Sequence, residues 1–371
     1  MKRITVIILG IIAVMTVNCS KQNIQGGAET SQEPWVNDTT LPVPIELGAG
    51  DNTRIESKAA VLPGNLNGTH FGIFAIDVAQ TWADGSDNVL FQNVEGLYND
   101  GTIEFVDGKK YYPMLTQYNY TFYGYHPFIE GTWNGETFNA DITLGNYDIL
   151  WAKAEAADVT NPDESSETIK GFNASYARNV RKWYPGTYAQ YQPSMNFKHL
   201  TTALYFVAKA EDATAEKSLA DGGVTIDALS VSGVPTGARL CIADRAGTAE
   251  GTLTATTNSG TLNMYKDTSY ENLGVAPITA GARIGDGLFM LPQASEGVTL
   301  NFTISAPDGA TVRRTGLTLP APANGLFEAG KYYTYNIIIK SLEEIVIKAT
   351  VEDWMNGFTG EEIDTIVDNI G

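Results

Sequence analysis

Cysteine and histidine are nearly absent: the 371-residue sequence holds two Cys and three His. A cysteine-rich zinc centre and a disulfide framework are excluded by that count. Positive charge is also scarce. Lys and Arg number 24 against 43 Asp and Glu, a formal charge of −19. So acidic a surface repels phosphate backbones and argues against nucleic acid as a partner. Charged residues make up only 18% of the chain, while 43% is hydrophobic. That is too apolar for a disordered chain and enough for a sizeable core. No sequence repeat recurs at a fixed period. What is abundant is Gly (37) and Tyr (18), a composition of strands and turns rather than helical bundles.

Catalytic motifs are missing too. There is no Gly-x-Ser-x-Gly elbow, phosphate loop or His-Glu-x-x-His helix, so no catalytic, cofactor or metal residues are expected. His70, His126 and His199 lie in strand-like segments beside aromatic or apolar neighbours and read as hydrogen-bonded residues at a sandwich rim. Asp163, Glu164 and Glu167 lack the ligand spacing of a calcium loop and read as solvated. Trp82, Trp133, Trp151, Trp183 and Trp354 sit mostly at strand ends, where packing is commoner than a sugar platform. Cys241, within ARLCIAD, reads as a buried free thiol.

The chain opens MKRITVIILGIIAVMTVNCS. A basic start followed by an apolar run too short for a comfortable membrane span is a secretory signal, residues 1–18. Its end resembles a bacterial lipoprotein signal, with Asn18 where a small residue is usual. On that resemblance Cys19 is lipidated, and several acyl chains, at about 0.8 kcal/mol per buried methylene, hold the protein on a membrane.

Residues 20–38 are polar and read as a tether. In LPVPIEL, Leu41, Val43, Ile45 and Leu47 alternate, which places all four on one strand face. Pro42 and Pro44 cannot donate to a ladder, so this strand is an edge or an insertion. A polar loop with Arg54 and Lys58 follows. Dense strand signals run from His70, pause in a polar stretch at 159–168, and resume near Met195. A short helix is expected at 211–219. Two runs of strands argue for two β-sandwich domains joined near residue 195. In the tail, Ile363, Thr365 and Val367 alternate as a strand would. Ile363, Ile366, Val367 and Ile370 equally fit one helical face.

Several segments, in order, resemble the fimbrillins of Bacteroidales, the lipoprotein-derived subunits of type V pili. They are Cys19, LPVPIEL before TRIESKA, YTFYGYHPF, YDILWAKA, FKHLTTALYFVAKA, GLFMLPQ, LFEAGKYYTYNIII and VEDW. The resemblance implies an all-β chain of two transthyretin-like β-sandwich domains in tandem. The expected plan is a lipidated tether and excisable strand at 19–54, sandwiches at 55–194 and 195–360, and a tail at 361–371. It further implies that a trypsin-like protease cuts after Arg54, or after Lys58 if it tolerates Lys. Loss of Leu41, Val43, Ile45 and Leu47 then opens a groove that a strand from another subunit fills. Major subunits donate a C-terminal strand, here Ile363, Thr365 and Val367. The implied partners are other fimbrial subunits, the outer membrane through the lipid, and a host or bacterial surface receptor. The implied location is first the outer membrane, then the extracellular fimbrium. The alternative function is a surface lipoprotein that binds glycans and keeps its N-terminal strand.

Overall fold

The computed structural model describes residues 33–49, 67–80, 88–114, 117–163, 167–266, 269–307, 309–341, 344–353 and 361–364. Among these the protein is all-β, with α-helices only at Pro34–Asn37, Ala174–Trp183 and Ala213–Asp221. The largest sheet has eight strands. Their order is Ser194–Met195, Leu47–Ala49, Thr102–Phe105, Val89–Asn99, His70–Ile76, Thr121–His126, Leu150–Ala154 and Lys198–His199. Two of its inner strands, His70–Ile76 and Thr121–His126, are buried on both faces. Phe71, Ile73 and Ala75 enter one core, while Phe74 and Ile76 enter a second. Phe122 and Tyr123 divide the same way. Successive side chains of a strand point oppositely, so a strand between two cores must be apolar throughout. This is why HFGIFAI and TFYGYH lack polar alternation.

The first core lies between this sheet and the Ala174–Trp183 helix, with Tyr112, Phe172, Tyr176, Val180 and Met195 inside it. The second core is larger. It is closed by the four-stranded sheet Thr252–Ala255, Gly237–Asp244, Thr137–Thr143 and Thr132–Trp133. It continues between a five-stranded sheet and a four-stranded one. The five strands are Ala282–Met290, Thr202–Ala210, Lys331–Ile339, Ile345–Asp353 and Glu361–Asp364. The four are Ser259–Asn263, Thr225–Pro235, Thr299–Ser305 and Thr311–Thr318.

Ladders cross residue 195. Thr137–Thr143 pairs antiparallel with Gly237–Asp244, and Leu150 faces His199. Trp151 adds a side-chain tie, its indole Nε1 donating to the Ile242 carbonyl at 2.9 Å. Gly251, at φ +66°, lies against that indole, where a Cβ would come within 2.6 Å of the ring. Only glycine adopts this backbone and leaves the ring room.

Some local structure departs from the expectations above. Within the presumed tether, Pro34–Asn37 form a helical turn with Val36 buried. The polar stretch at 159–168 closes on itself, Val159–Thr160 pairing with Thr168–Ile169. The expected helix near 211 starts at Ala213, because Asp212 caps it by accepting from the Thr214 and Ala215 amides, each at 2.8 Å.

A buried acidic turn follows Gly237–Asp244. Burial would raise the Asp244 carboxyl, but the amides of Ala249, Thr248 and Ala246 and the Thr248 hydroxyl hold it below the usual carboxylate range. A depressed folded-state pKa stabilises above the unfolded value, and that stability is lost as pH falls through the folded value. Asp244→Ala should therefore cost about 2–3 kcal/mol at neutral pH. In paired urea titrations the gap to the parent should close below about pH 4. A gap independent of pH would refute this account of the turn.

Candidate functional site: the seat of the N-terminal segment

Residues 33–49 are seated in the first core. After the Pro34–Asn37 turn, the Thr40 amide and hydroxyl both donate to Asp38 Oδ1, at 2.9 and 2.6 Å. This side-chain turn redirects the chain into extended backbone. Val43–Pro44 then pairs with Tyr111–Tyr112, and the Ile45 amide donates to the Lys110 carbonyl at 2.9 Å. Leu47–Ala49 lies between two neighbours. It is antiparallel to Thr102–Phe105 and parallel to Ser194–Met195. The strand is thus inserted in the large sheet rather than laid against it.

Val43, Ile45 and Leu47 are 0%, 6% and 3% exposed and join Ile103, Tyr112 and Met195 in the core. Leu41 is half-buried, Pro44 likewise, and Pro42 is exposed. Leu41 stands apart because it belongs to the turn that precedes the ladder. Burial pushes the phenols of Tyr112 and Tyr176 up, the latter to about 12, so both line the seat as neutral groups.

The Ala174–Trp183 helix grips the segment from the other side. Its N-cap, Asn173, accepts from the Tyr176 amide at 2.9 Å, and Arg181 and Lys182 in the last turn suit the helix dipole. Ala174, Tyr176, Arg178 and Val180 are buried. Arg178, 6% exposed, spends its guanidinium on main-chain carbonyls of the segment. Nη1 donates to Trp35 O at 2.7 Å and Asp38 O at 2.9 Å, and Nη2 donates to Leu41 O at 2.6 Å. One turn later, Arg181 Nη2 donates to both carboxylate oxygens of Glu46, at 2.8 and 2.7 Å. Gln192 donates to the same carboxylate. The Arg181 guanidinium also lies 3.4 Å from the Tyr188 ring centroid. A cavity of about 30 Å³ lies between Pro44, Tyr112, Tyr176 and Tyr191. It has room for about one water.

Sequence reasoning missed this helix and both arginines. NASYARNVRKW has few apolar residues, and a buried arginine leaves no hydrophobic period. The available signal was Asn173 as a cap and Pro185-Gly186 as a stop.

Cys19, Arg54, Lys58, Thr365 and Val367 lie outside the described residues. Ile363 is described: Glu361–Asp364 forms an antiparallel strand on Ile345–Asp353, with Ile363 opposite Ala349. This stretch is extended rather than helical. The described part of the tail, Glu361–Asp364, and the Leu47–Ala49 strand belong to different sheets.

The remaining candidates scatter. His70 Nδ1 pairs with Glu95 at 2.7 Å, and His126 Nδ1 pairs with the His70 carbonyl at 2.9 Å. Both histidines line an open cleft of about 900 Å³, and burial pushes the His126 imidazole down. His199 is buried rather than at a rim and bonds Asp148, which also accepts from Thr201. Trp133 and Trp183 are half-buried and Trp151 is buried, so these three pack inward rather than forming a platform, while Trp82 and Trp354 lie outside the described residues. Asp163 and Glu167 make hydrogen bonds to or beside Asn161, and Glu164 lies outside the described residues. No cluster of three His, Cys, Asp or Glu among the described residues is placed to hold a metal ion. The Cys241 thiol is free, and burial pushes it up to about 11. Among the described residues no helix is long and apolar enough to cross a membrane.

A family model described as fimbrillin-like matches residues 53–354, and the chain belongs to that family. No curated protein sequence matches it significantly. Its fold is similar to that of a candidate cell adhesion protein from Bacteroides uniformis. The TM-score is 0.52 at 18% identity, over 85% of this chain and 99% of the other. Weaker likeness extends to the tip fimbrial protein of Porphyromonas gingivalis, with TM-score 0.35 and 8% identity over 85% and 99% of the two chains. The fimbrial anchor protein of the same organism gives 0.33 and 9% over 88% and 100%. Family membership supports a structural, non-enzymatic fimbrial or adhesin subunit at the cell surface.

Proposed function

We propose that this chain is the precursor of a fimbrial subunit that polymerises by strand exchange. Export as an outer-membrane lipoprotein through Cys19 comes first. Cleavage after Arg54 then separates residues 41–47 from the body, and a strand from another subunit takes their place. The tail residues Ile363, Thr365 and Val367 are the proposed donor. The observation that supports this reading is the seating of the Leu47–Ala49 strand. It pairs on both sides within the sheet, yet it is joined to the body only through the stretch that holds Arg54. Emptying the seat exposes unpaired backbone and a strip of core, and both favour the addition of a new strand. Because one subunit gives and another receives, the contact is heterologous and propagates as a filament. Adhesion to a host or bacterial surface follows from display on that filament.

N-terminal sequencing of protein from sheared surface filaments tests the scheme. The expected first residue is Ile55. A filament protein that begins at Cys19 and retains residues 41–47 would overturn it.

A further inference from the structure

Besides its strand pairing and its apolar burial, the segment is gripped from the helix side by side-chain contacts of two kinds. Arg178 bonds three carbonyl oxygens, at residues 35, 38 and 41, and carbonyls are the same whatever the side chains. Arg181 and Gln192 bond the carboxylate of Glu46, and Arg181 Nη1 also lies 3.8 Å from the Glu33 carboxylate. All these donors sit on the Ala174–Trp183 helix or shortly after it, on the body of the protein. None of the contacts passes through residues 50–66. Cutting the chain there severs a covalent link and leaves every one of them in place.

Departure of the segment has a different consequence. With the segment in place Arg178 is 6% exposed. Without residues 35–41 its guanidinium loses three acceptors at once. Departure trades these charge-assisted hydrogen bonds for water and at the same time uncovers the apolar seat of Ile103, Tyr112 and Met195, which is costly. The vacated seat is therefore a poor resting state, and the segment stays until something offers the same acceptors.

We propose that Arg178 and Arg181 form a retention latch: they keep residues 33–49 seated after the chain is cut. The latch yields to an incoming extended segment that presents main-chain carbonyls to Arg178 and a carboxylate to Arg181. Scission and exchange are then separate events, and cut subunits do not carry open grooves through solution. The latch rests on the reading that residues 41–47 are exchanged. Its grip on the intact chain can be measured independently of that reading.

The experiment uses the full chain with a specific protease sequence placed within residues 50–66, so that nicking does not depend on Arg54. Two quantities are read for the parent, Arg178→Met and Arg181→Gln. One is hydrogen exchange of the backbone amides at 43–49 in the uncut chain. The other is the rate at which the N-terminal fragment leaves the nicked chain on size exclusion. In Arg178→Met both should rise on the order of 100-fold, while exchange in Lys331–Ile339 stays unchanged. In Arg181→Gln, which keeps the Arg178 contacts, the rise should be on the order of 10-fold. If Arg178→Met does not fold, Arg181→Gln carries the test alone. Equal rates in parent and variants, or immediate loss of the fragment from the nicked parent, would overturn the latch. Native filaments that retain residues 33–49 would instead overturn the exchange reading and leave the uncut-chain result standing.

Discussion

Ile45→Asp should destabilise the uncut precursor by about 3–5 kcal/mol, the cost of a buried carboxylate without a partner. Ile45 is 6% exposed, set between Val43 and Leu47 in the first core, with Tyr112 and Met195 among the residues that fill it. Ile45→Ala should cost about 2–4 kcal/mol, because it only empties space. From sequence alone Glu46 points outward, and a change there is expected to be silent. The structure alters that expectation. Glu46 is held by Arg181 and Gln192, and shortening it to Asp pulls the carboxylate away from both. Glu46 is also partly exposed, so the loss should be about 1 kcal/mol. Denaturant unfolding of the three variants should rank them Ile45→Asp, Ile45→Ala, Glu46→Asp. Equal midpoints for Ile45→Asp and the parent would mean the segment lies outside the cooperative fold.

The second large effect is expected at His199→Leu. Asp148 is 1% exposed and accepts from both His199 and Thr201, and the Ile149 amide bonds Thr201 Oγ1 at 3.3 Å. This cluster joins the Leu150–Ala154 strand to Lys198–His199, where the two halves of the sequence meet. Leucine fills the volume but leaves the carboxylate with one hydroxyl donor. Removing one partner of a buried pair costs about 3–5 kcal/mol. Asp148→Asn, which keeps an acceptor and drops the charge, should cost less than His199→Leu. Thermal unfolding at neutral pH checks the order. A His199→Leu protein that melts with the parent would show that the pair is not needed at the junction.

Many of the strands were legible because their cause is local. In LPVPIEL the alternation of apolar residues and the two prolines together indicate an inserted or edge strand with one inward face. The first cap of the Ala213–Asp221 helix is readable for the same reason, since Asp212 acts on amides two and three residues away. The seat was not legible. Its parts come from residues near 45, 103, 112, 178 and 195, and no periodicity links them. Arg178 looks like an ordinary charged residue until the fold brings three carbonyls to it.

Composition and strand periodicity were enough to indicate an all-β chain, because those depend on residue type and on spacing of two. Tertiary structure decided which strands became neighbours. Thr202–Ala210 runs parallel to Lys331–Ile339, and Thr137–Thr143 pairs with Gly237–Asp244, across long stretches of chain. Strand pairing bonds backbone to backbone, and the backbone is nearly the same everywhere, so partners are chosen by which side chains fill a shared core. The same reasoning holds for the grip on residues 33–49. A guanidinium that binds carbonyls reads no side chain, so its target is settled by position in space and not by the letters of the sequence.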